Sequence, residues 1–483
     1  MKQTTTELFC QAMIQLGTYH AKPLASLVMS LASFEKAHSV VGLSQSPVFY
    51  HQYSSIADAI NGICVNQSDY ESISTKIRRF CMAYYPLPVD SIYRFNSDSS
   101  TILKLFSPTL KDRSQVYVPN NVIPSNKPLS VGYRTSAITL SESDGWQLPV
   151  AVERINTNQT ATECLIKQLS GLFDDQSLPF QKADLVVNRL DRGFGNAQYL
   201  SPSYRHHNLV SVVRLRQGQK IYLPSRALST GGRPPIYDKT PRYLSQQSQT
   251  KTINDKGELR DVFQSSIFEI APTHLQQVET ITKKGKKIRH TLTQWNDLLV
   301  RTKKGQKMSD KRLNLVAVVS TDSESGKPIF KQPLFMVVSG RNKDKLSPQD
   351  AFCEYMQRYG IEPFFRFNKQ NLFLDKFQTP DVQHLDNWVL VIQLAVFLLF
   401  LTASDASHTC PKWQKYAPIE KELSPVRLSL AQARKSAELL FLTFDKIPFL
   451  PVKSKKGKAR EKGQTQGKRI RYELVKKRKK PPV

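Results

Sequence analysis

The chain has 483 residues, 40% of them hydrophobic, and its 69 lysines and arginines against 40 aspartates and glutamates give a formal charge of +29. This length and apolar content predict a folded protein of roughly two to four domains and exclude a wholly disordered chain. The excess of positive charge favours a polyanionic partner, and nucleic acid is the usual one. The six cysteines show no CxxC or Cys/His metal spacing, which argues against a zinc site or a disulfide framework and favours a reducing compartment.

Residues 1–85 are predicted to form a small helical domain. Apolar residues follow helical spacing in this segment, and strand signals are few. The segment does not begin with the basic-then-apolar pattern of a signal peptide, so no export signal is expected. We interpret it as a DNA-binding domain, although its residues match no specific DNA-binding module.

Strand and helix signals alternate over residues 86–215. Short β-rich runs between residues 92 and 153 are followed by a helical period in TATECLIKQLSGLF and by two apolar strands, ADLVVNRL and LVSVVRL. Because strands and helices alternate, the segment predicts an α/β fold whose sheet has mixed strand directions.

A basic segment punctuated by glycine and proline, residues 216–311, separates these strands from later ones. Apolar β runs return in LNLVAVVS and PLFMVVS, so we interpret 216–311 as a β-rich insertion and residues 312–405 as the second part of the same domain. A serine that can cap a helix, a proline and an acid at Ser347, Pro348 and Asp350 predict the start of a helix.

Two further segments lie towards the C-terminus. The stretch WVLVIQLAVFLLFLTA is almost wholly apolar, but it is shorter than the roughly 20 residues of a membrane span and contains Gln393, which favours a buried core helix. Residues 406–483 end in a basic tail, where fourteen lysines and arginines from Lys453 onward face only Glu461 and Glu473. This tail is predicted to be disordered when free.

Four polar residues recur in the aromatic-rich stretch EYMQRYGIEPFFRFNK. Arg358, Glu362 and Lys369 follow Tyr355 at offsets of three, seven and fourteen residues. At about 100° per residue these offsets place all four along one narrow face of a continuous helix. Pro363 directly follows Glu362 and should kink this helix or begin a new turn.

Three acids occur in the order Asp, Asp, Glu on predicted elements of the sheet domain. Asp98 is placed at the end of the first strand, Asp191 comes directly after ADLVVNRL, and Glu362 lies on the late helix. Convergent carboxylates can hold two divalent metal ions that promote phosphodiester cleavage and strand transfer.

Other acids are alternatives to these three, and each acid taken alone is more often a solvated residue at a strand end or on a helix surface. Asp90 and Asp112 lie in the same region as Asp98, Asp184 begins the strand that Asp191 ends, and Glu354 lies on the same predicted helix as Glu362.

The Asp-x-Gly-Phe sequence that begins at Asp191, and the spacing Y-x2-R-x3-E-x6-K, resemble the bacterial insertion-sequence transposases of the DDE type that bear the Tyr-Arg-Glu-Lys signature. The resemblance covers roughly residues 92–215 and 312–375. It implies a ribonuclease H-like catalytic core interrupted by a β-rich insertion. It further implies two groups of site residues: the catalytic, metal-binding acids Asp98, Asp191 and Glu362, and the DNA-phosphate-binding residues Tyr355, Arg358 and Lys369.

The same resemblance implies a transposase that binds terminal inverted repeats, cuts the DNA and joins the ends to target DNA. It would use two Mg²⁺ ions, with Mn²⁺ as an alternative, since hard cations prefer carboxylate and phosphate oxygens. It would act as a homodimer in the synaptic complex, in the bacterial cytoplasm at the nucleoid and without a membrane partner. The alternative function is a non-catalytic DNA-binding protein or an inactive transposase copy, because attraction to phosphate does not depend on sequence and charge alone cannot separate the two.

Overall fold

The computed structural model describes residues 5–85, 87–118, 128–142, 145–225, 235–252, 261–282, 285–301, 310–405, 428–442 and 469–475. The α-helices in these ranges are α1 (Thr5–Leu16), α2 (Ala21–Ser33), α3 (Ser54–Asn61), α4 (Gln67–Ala83), α5 (Ala161–Phe173), α6 (Ala197–Ser203), α7 (Pro348–Gln357), α8 (Ile361–Gln370), α9 (Val382–Asp405) and α10 (Leu430–Leu442). The strands are β1 (Ile92–Leu103), β2 (Ser114–Tyr117), β3 (Leu129–Ser141), β4 (Gln147–Ile155), β5 (Leu185–Leu190), β6 (Leu209–Arg214), β7 (Lys220–Ile221), β8 (Arg242–Tyr243), β9 (Gln249–Thr252), β10 (Asp261–Gln264), β11 (His274–Ile281), β12 (Lys287–Leu298), β13 (Leu313–Asp322) and β14 (Leu334–Ser339).

The chain forms two compact units. The first, which we name the helical unit, comprises Met1–Pro86, Ser99–Cys164 and Gly360–Lys479, and the second, the sheet unit, comprises Leu87–Asp98, Leu165–Tyr359 and Lys480–Val483. Strand β1 contributes its first part to the sheet unit and its last part to the helical unit. The five domains expected from the sequence divide the chain at other positions, and those boundaries stay a prediction.

The sheet unit is built on strands in the order β11-β12-β13-β14-β6-β5-β1. Strands β1, β5 and β6 run parallel, whereas β11 to β14 join by antiparallel pairing, so the predicted α/β fold with mixed strand directions is confirmed. All six residues of β5 are buried, as expected for a parallel strand covered on both faces. Helix α7 packs against β5, β6 and β11 to β13, and its apolar residues join those strands in one core cluster.

Much of segment 216–311, interpreted from the sequence as an insertion, belongs to this sheet. Strands β11 and β12 extend the sheet beyond β13, with β11 at its edge. The same segment also forms two short antiparallel ladders, β7–β8 and β9–β10. The sheet therefore does not simply stop at residue 215 and resume at 312.

The helical unit is organised around α9, which packs against α1 to α4, α10 and β4. Val382–Ala403 is the one helix among the described residues that is long and apolar enough to cross a membrane, and 89% of its most apolar window is buried. Asn387 Nδ2 donates to the carbonyl oxygens of Ile60 (2.7 Å) and Cys64 (3.0 Å), and Gln393 Nε2 donates to that of Pro149 (3.0 Å). Such packing is that of a core helix in a soluble protein, as the sequence predicted.

The helix predicted to carry all four signature residues is not continuous. Helix α7 begins with the predicted serine cap and ends at Gln357, residues 358–360 form a 3-10 turn, and α8 begins at Ile361. Pro363 thereby falls in the first turn of α8, where its missing N–H costs no hydrogen bond. The helix break expected near Pro363 is present as the 3-10 turn, and the prediction of one continuous helix through all four residues is wrong.

Most of the basic tail predicted from Lys453 onward lies outside the described residues, apart from 469–475. In this short segment the Tyr472 N–H donates to the carbonyl of Pro108 (2.9 Å), and the Val475 N–H donates to that of Arg113 (2.8 Å), both within the helical unit. These two hydrogen bonds attach the short segment to the helical unit, and disorder of the free tail stays a prediction.

Candidate carboxylate and phosphate site

Strands β1 and β5 place two of the predicted acids side by side in the sheet unit. The parallel register pairs Ser97 with Leu190, and the next residues along the two strands are Asp98 and Asp191. Residues paired in this way project from the same face of a sheet. In α/β sheets the carboxyl ends of parallel strands are the usual place for a ligand site.

The sequence placed Asp98 at the end of its strand, and this detail is wrong. Strand β1 continues to Leu103, because its last part hydrogen-bonds β3 within the helical unit. Strand β5 does end at Leu190, so Asp191 opens the turn that follows it, in which the Phe194 N–H donates to the Asp191 carbonyl (3.0 Å). Asp98 is therefore held by a regular strand and Asp191 by a turn.

Arg358 meets Asp98 directly. Its Nη1 lies 3.1 Å from Asp98 Oδ2, and the two side chains are only 12% and 24% exposed. The Arg358 guanidinium also lies 5.9 Å from the centre of the Tyr355 ring, and Tyr355 is itself buried in the core beneath α7. The sheet unit thus brings together Asp98, Asp191, Arg358 and Tyr355 of the six site residues expected from the sequence.

Glu354, the alternative to Glu362 on the late helix, has a different role. Its carboxylate accepts a hydrogen bond from Arg94 Nε and another from Arg189 Nε, each at 2.8 Å. The Arg189 side chain is fully buried and also donates to Gln357 Oε1 (3.0 Å). Glu354 is therefore the shared partner of two arginines, which ties α7 to β1 and β5.

Sequence reasoning missed these two arginines, although a signal was present. Arg94 precedes Asp98 by four residues and Arg189 precedes Asp191 by two, so each arginine shares a strand face with its acid. Alternation on a strand could have placed them next to the acids. It could not have shown that one glutamate pairs with both.

A buried polar network fixes the three parallel strands from their other face. Ser97 Oγ donates to Asn188 Oδ1 (2.7 Å), Asn188 Nδ2 donates to the Tyr199 hydroxyl (3.0 Å), and this hydroxyl lies 2.8 Å from Ser211 Oγ. Burial raises the pKa of Tyr199 to about 12, so its hydroxyl stays neutral. Because Ser97, Asn188 and Ser211 stand on β1, β5 and β6, this network locks the register that aligns Asp98 with Asp191.

Glu362 and Lys369 belong to the helical unit, on α8. Glu362 is exposed in the first turn, where a negative charge interacts favourably with the helix dipole. Burial lowers the pKa of Lys369, and the nearby Asp375 opposes that shift. These two residues belong to a different unit from Asp98, and their assignment to the site comes from the sequence signature.

The aspartate pair has the donor chemistry that Mg²⁺ or Mn²⁺ requires. Carboxylate oxygens are hard ligands, and two of them on neighbouring strands can share one cation. Within the part of the chain that the structure describes, no group of three or more histidines, cysteines, aspartates and glutamates could hold a metal ion. Two aspartates alone are fewer ligands than a complete carboxylate site for such a cation contains. No protein-family model matches the chain, and no curated protein matches it.

Proposed function

We propose that this protein is a DDE-type DNA transposase that binds element ends, cuts them in a metal-dependent reaction and joins them to target DNA. The observation that carries the proposal is the alignment of Asp98 and Asp191 on neighbouring parallel strands, with Arg358 against Asp98. The charge of +29 supports a DNA partner, because phosphate contacts supply most of the sequence-independent affinity for DNA.

The strand arrangement supports a ribonuclease H-like core as part of this proposal. Within the helical unit β1 hydrogen-bonds β3, and β3 pairs antiparallel with β4. Within the sheet unit the same strand runs parallel to β5, which runs parallel to β6. A sheet in which β1 joins the antiparallel pair β3–β4 and also runs parallel to the later strand β5 is compatible with a mixed catalytic sheet of this kind.

The acids are proposed to hold Mg²⁺ or Mn²⁺, with Asp98 and Asp191 as two ligands and Glu362 as a third taken from the signature. When bound, such ions polarise a phosphoryl oxygen and stabilise the charges of the attacking and leaving oxygens. Keeping the two aspartates aligned before the ions arrive avoids a rearrangement during the reaction, and the buried network on β1, β5 and β6 does this.

The basic residues of the signature are proposed to hold DNA phosphates near the cut. The guanidinium of Arg358 presents parallel donors that match phosphate oxygens, and the Lys369 ammonium acts as a point charge. Tyr355 backs Arg358 through its ring. In the structure Arg358 donates to Asp98, so its binding to phosphate would exchange one anionic partner for another.

The biological setting completes the proposal. The DNA partners are the terminal inverted repeats and a target duplex, and the active assembly is a homodimer that holds two ends together. The protein acts at the nucleoid in the bacterial cytoplasm.

Amide variants of the acids test the proposal. Asp98→Asn, Asp191→Asn and Glu362→Gln should each abolish Mg²⁺-dependent nicking of DNA that carries the sequences flanking the gene. DNA binding should persist, since losing an acid removes no attraction to phosphate. Asp184→Asn is the matched control, because Asp184 is exposed just before the same strand that Asp191 follows, and it should cut normally. Robust nicking by Asp191→Asn would overturn the proposal, and robust nicking by Glu362→Gln would overturn the third ligand.

A non-catalytic DNA-binding protein, or an inactive transposase copy, is the second candidate. The ion pair between Arg358 and Asp98 favours it, because a guanidinium already neutralises one of the two aligned acids. This candidate predicts the same salt-dependent DNA binding but no nicking by the unaltered chain in either Mg²⁺ or Mn²⁺. Nicking that the acid variants abolish would exclude it.

A further inference from the structure

The sheet unit contains a polar cleft of about 820 Å³ that shares no lining residue with the aspartate pair. Of its thirteen described lining residues two are lysines, Lys220 and Lys331, and none is an aspartate or a glutamate. Six are glutamines: Gln217, Gln246, Gln247, Gln249, Gln264 and Gln332. The described lining therefore combines two positive charges with many neutral hydrogen-bonding groups.

The walls of the cleft are fixed by short β ladders and turns. Gln249 and Gln264 stand opposite each other in the β9–β10 ladder. The Tyr243 N–H donates to the Ser265 carbonyl (2.9 Å), and Ser245 Oγ donates to the Gln247 carbonyl (2.8 Å). The side chains of the cleft are therefore presented from a backbone that is already ordered, which lowers the entropic cost of binding.

The side-chain amides of the cleft glutamines keep their hydrogen-bonding capacity within the described chain. None of the six glutamine amides hydrogen-bonds another described residue, and each can donate two hydrogen bonds and accept further ones. Lys220 is exposed, with its Nζ 5.4 Å from the centre of the Tyr243 ring, and Lys331 is exposed as well. These groups are available to a ligand that combines negative charge with hydrogen-bonding edges.

We propose that this cleft is a second DNA-binding site, in which Lys220 and Lys331 contact phosphates and the glutamines contact base edges. Glutamine amides can pair with the N6 and N7 positions of adenine, and lysines bind phosphate as point charges. The proposal rests on the proposed function, because it takes duplex DNA as the partner. It assigns DNA recognition to residues that the transposase signature does not include.

The lysines are tested through the salt dependence of binding. Affinity of the full chain for a short fluorescein-labelled DNA duplex is measured by anisotropy between about 50 and 200 mM salt, with a chelator present. Because each phosphate contact contributes about 0.9 to the slope of log affinity against log salt, Lys220→Ala combined with Lys331→Ala should lower the slope by about 1.8. The control combines Lys182→Ala with Lys287→Ala, two exposed lysines of the same unit that do not line the cleft, and should leave the slope unchanged.

The glutamines are tested with duplexes of different sequence. Gln246→Ala combined with Gln332→Ala should keep the salt slope of the unaltered chain. It should weaken any preference for A·T-rich over G·C-rich duplex by about tenfold, since a good amide–adenine pair is worth about 1–3 kcal/mol. An unchanged preference would overturn base contact by these residues. Tighter lysine-dependent binding of duplex RNA than of duplex DNA would overturn the choice of partner.

These outcomes separate the cleft from the proposed function. If the salt slope of DNA binding depends on Lys220 and Lys331 but the chain cuts no DNA, the transposase proposal is overturned and the cleft remains a DNA-binding site. If the chain cuts DNA, but the variant lacking Lys220 and Lys331 has the same salt slope as the control variant, only the proposal of a DNA-binding cleft is overturned. A chain that binds no DNA would overturn both.

Discussion

Replacing Glu354 by glutamine should loosen the attachment of α7 to the sheet. The carboxylate is the anion between two arginines, and the side chains of Arg189 and Glu354 are 0% and 10% exposed. Glutamine keeps the shape and one acceptor oxygen but removes the charge, so the buried Arg189 guanidinium would lose this counter-ion. Removing one partner of a buried ion pair costs about 3–5 kcal/mol, because the remaining charge is uncompensated.

Hydrogen exchange read by mass spectrometry can measure this loss where it occurs. The relevant peptides cover α7 and β5, whose opening free energy the ion pair is expected to raise. A loss of about 3–5 kcal/mol in the opening free energy corresponds to roughly 10²- to 10⁴-fold faster hydrogen exchange. This applies to those amides in the two peptides that exchange when α7 and β5 open together. The matched control is Asp90→Asn, which removes a 47% exposed partner of Arg94 and should cost at most about 1 kcal/mol.

Two results would refute this reasoning. One is a Glu354→Gln chain whose α7 peptides exchange no faster than those of Asp90→Asn. The other concerns the combined change of Glu354→Leu and Arg189→Met, which removes both charges and should be less harmful than Glu354→Gln because no buried charge is left unpaired. Equal losses in these two proteins would show that packing, and not the uncompensated charge, sets the cost.

Three further predictions concern other parts of the molecule. Asn387→Ala should cost about 1–3 kcal/mol in urea unfolding, because the buried carbonyls of Ile60 and Cys64 lose the amide donor they share, whereas Gln383→Ala one turn earlier should cost far less. Burial lowers the pKa of Lys104 to about 8, so the folded state binds this proton less tightly than the unfolded chain does. The free energy of unfolding should therefore rise as pH increases from about 8 towards the ordinary lysine pKa of about 10.4. Lys104→Met should flatten this rise when urea midpoints are measured across that pH range. Arg358→Ala should raise Mn²⁺ affinity about tenfold in calorimetry, because a cation 3.1 Å from Asp98 no longer competes, and an unchanged affinity in that variant would contradict competition.

Local signals allowed much of the sheet unit to be predicted. The apolar runs ADLVVNRL, LVSVVRL, LNLVAVVS and PLFMVVS correspond to β5, β6, β13 and β14, and TATECLIKQLSGLF corresponds to α5. The start of α7 was predicted because a serine cap, a first-turn proline and an acid leave a recognisable pattern in a few adjacent residues. Each of these elements is specified mainly by its own sequence.

The elements that the sequence did not predict depend on partners far along the chain. Strand β1 extends to Leu103 because β3 pairs with it. Strand β12 joins the sheet by pairing with β13, and β11 joins by pairing with β12, although the residues of β11 are largely exposed. Pairing of this kind is decided by cross-strand neighbours, which a pattern read along one segment does not contain. The 3-10 turn at 358–360 was missed because the helical spacing of the sequence continues across it, and only Pro363 signals a break.

The two glutamates on the late helical segments show why the structure was needed to choose between similar residues. From the sequence, Glu354 and Glu362 are both acids next to the signature tyrosine and arginine. In the structure both Glu354 oxygens accept hydrogen bonds from buried or half-buried arginines, so a metal ion would have to displace two guanidinium groups to reach them. Glu362 is exposed at the start of its helix. Ion-pair chemistry therefore excludes Glu354 as a ligand more strongly than any spacing argument could, and the signature glutamate is left as the acid to test.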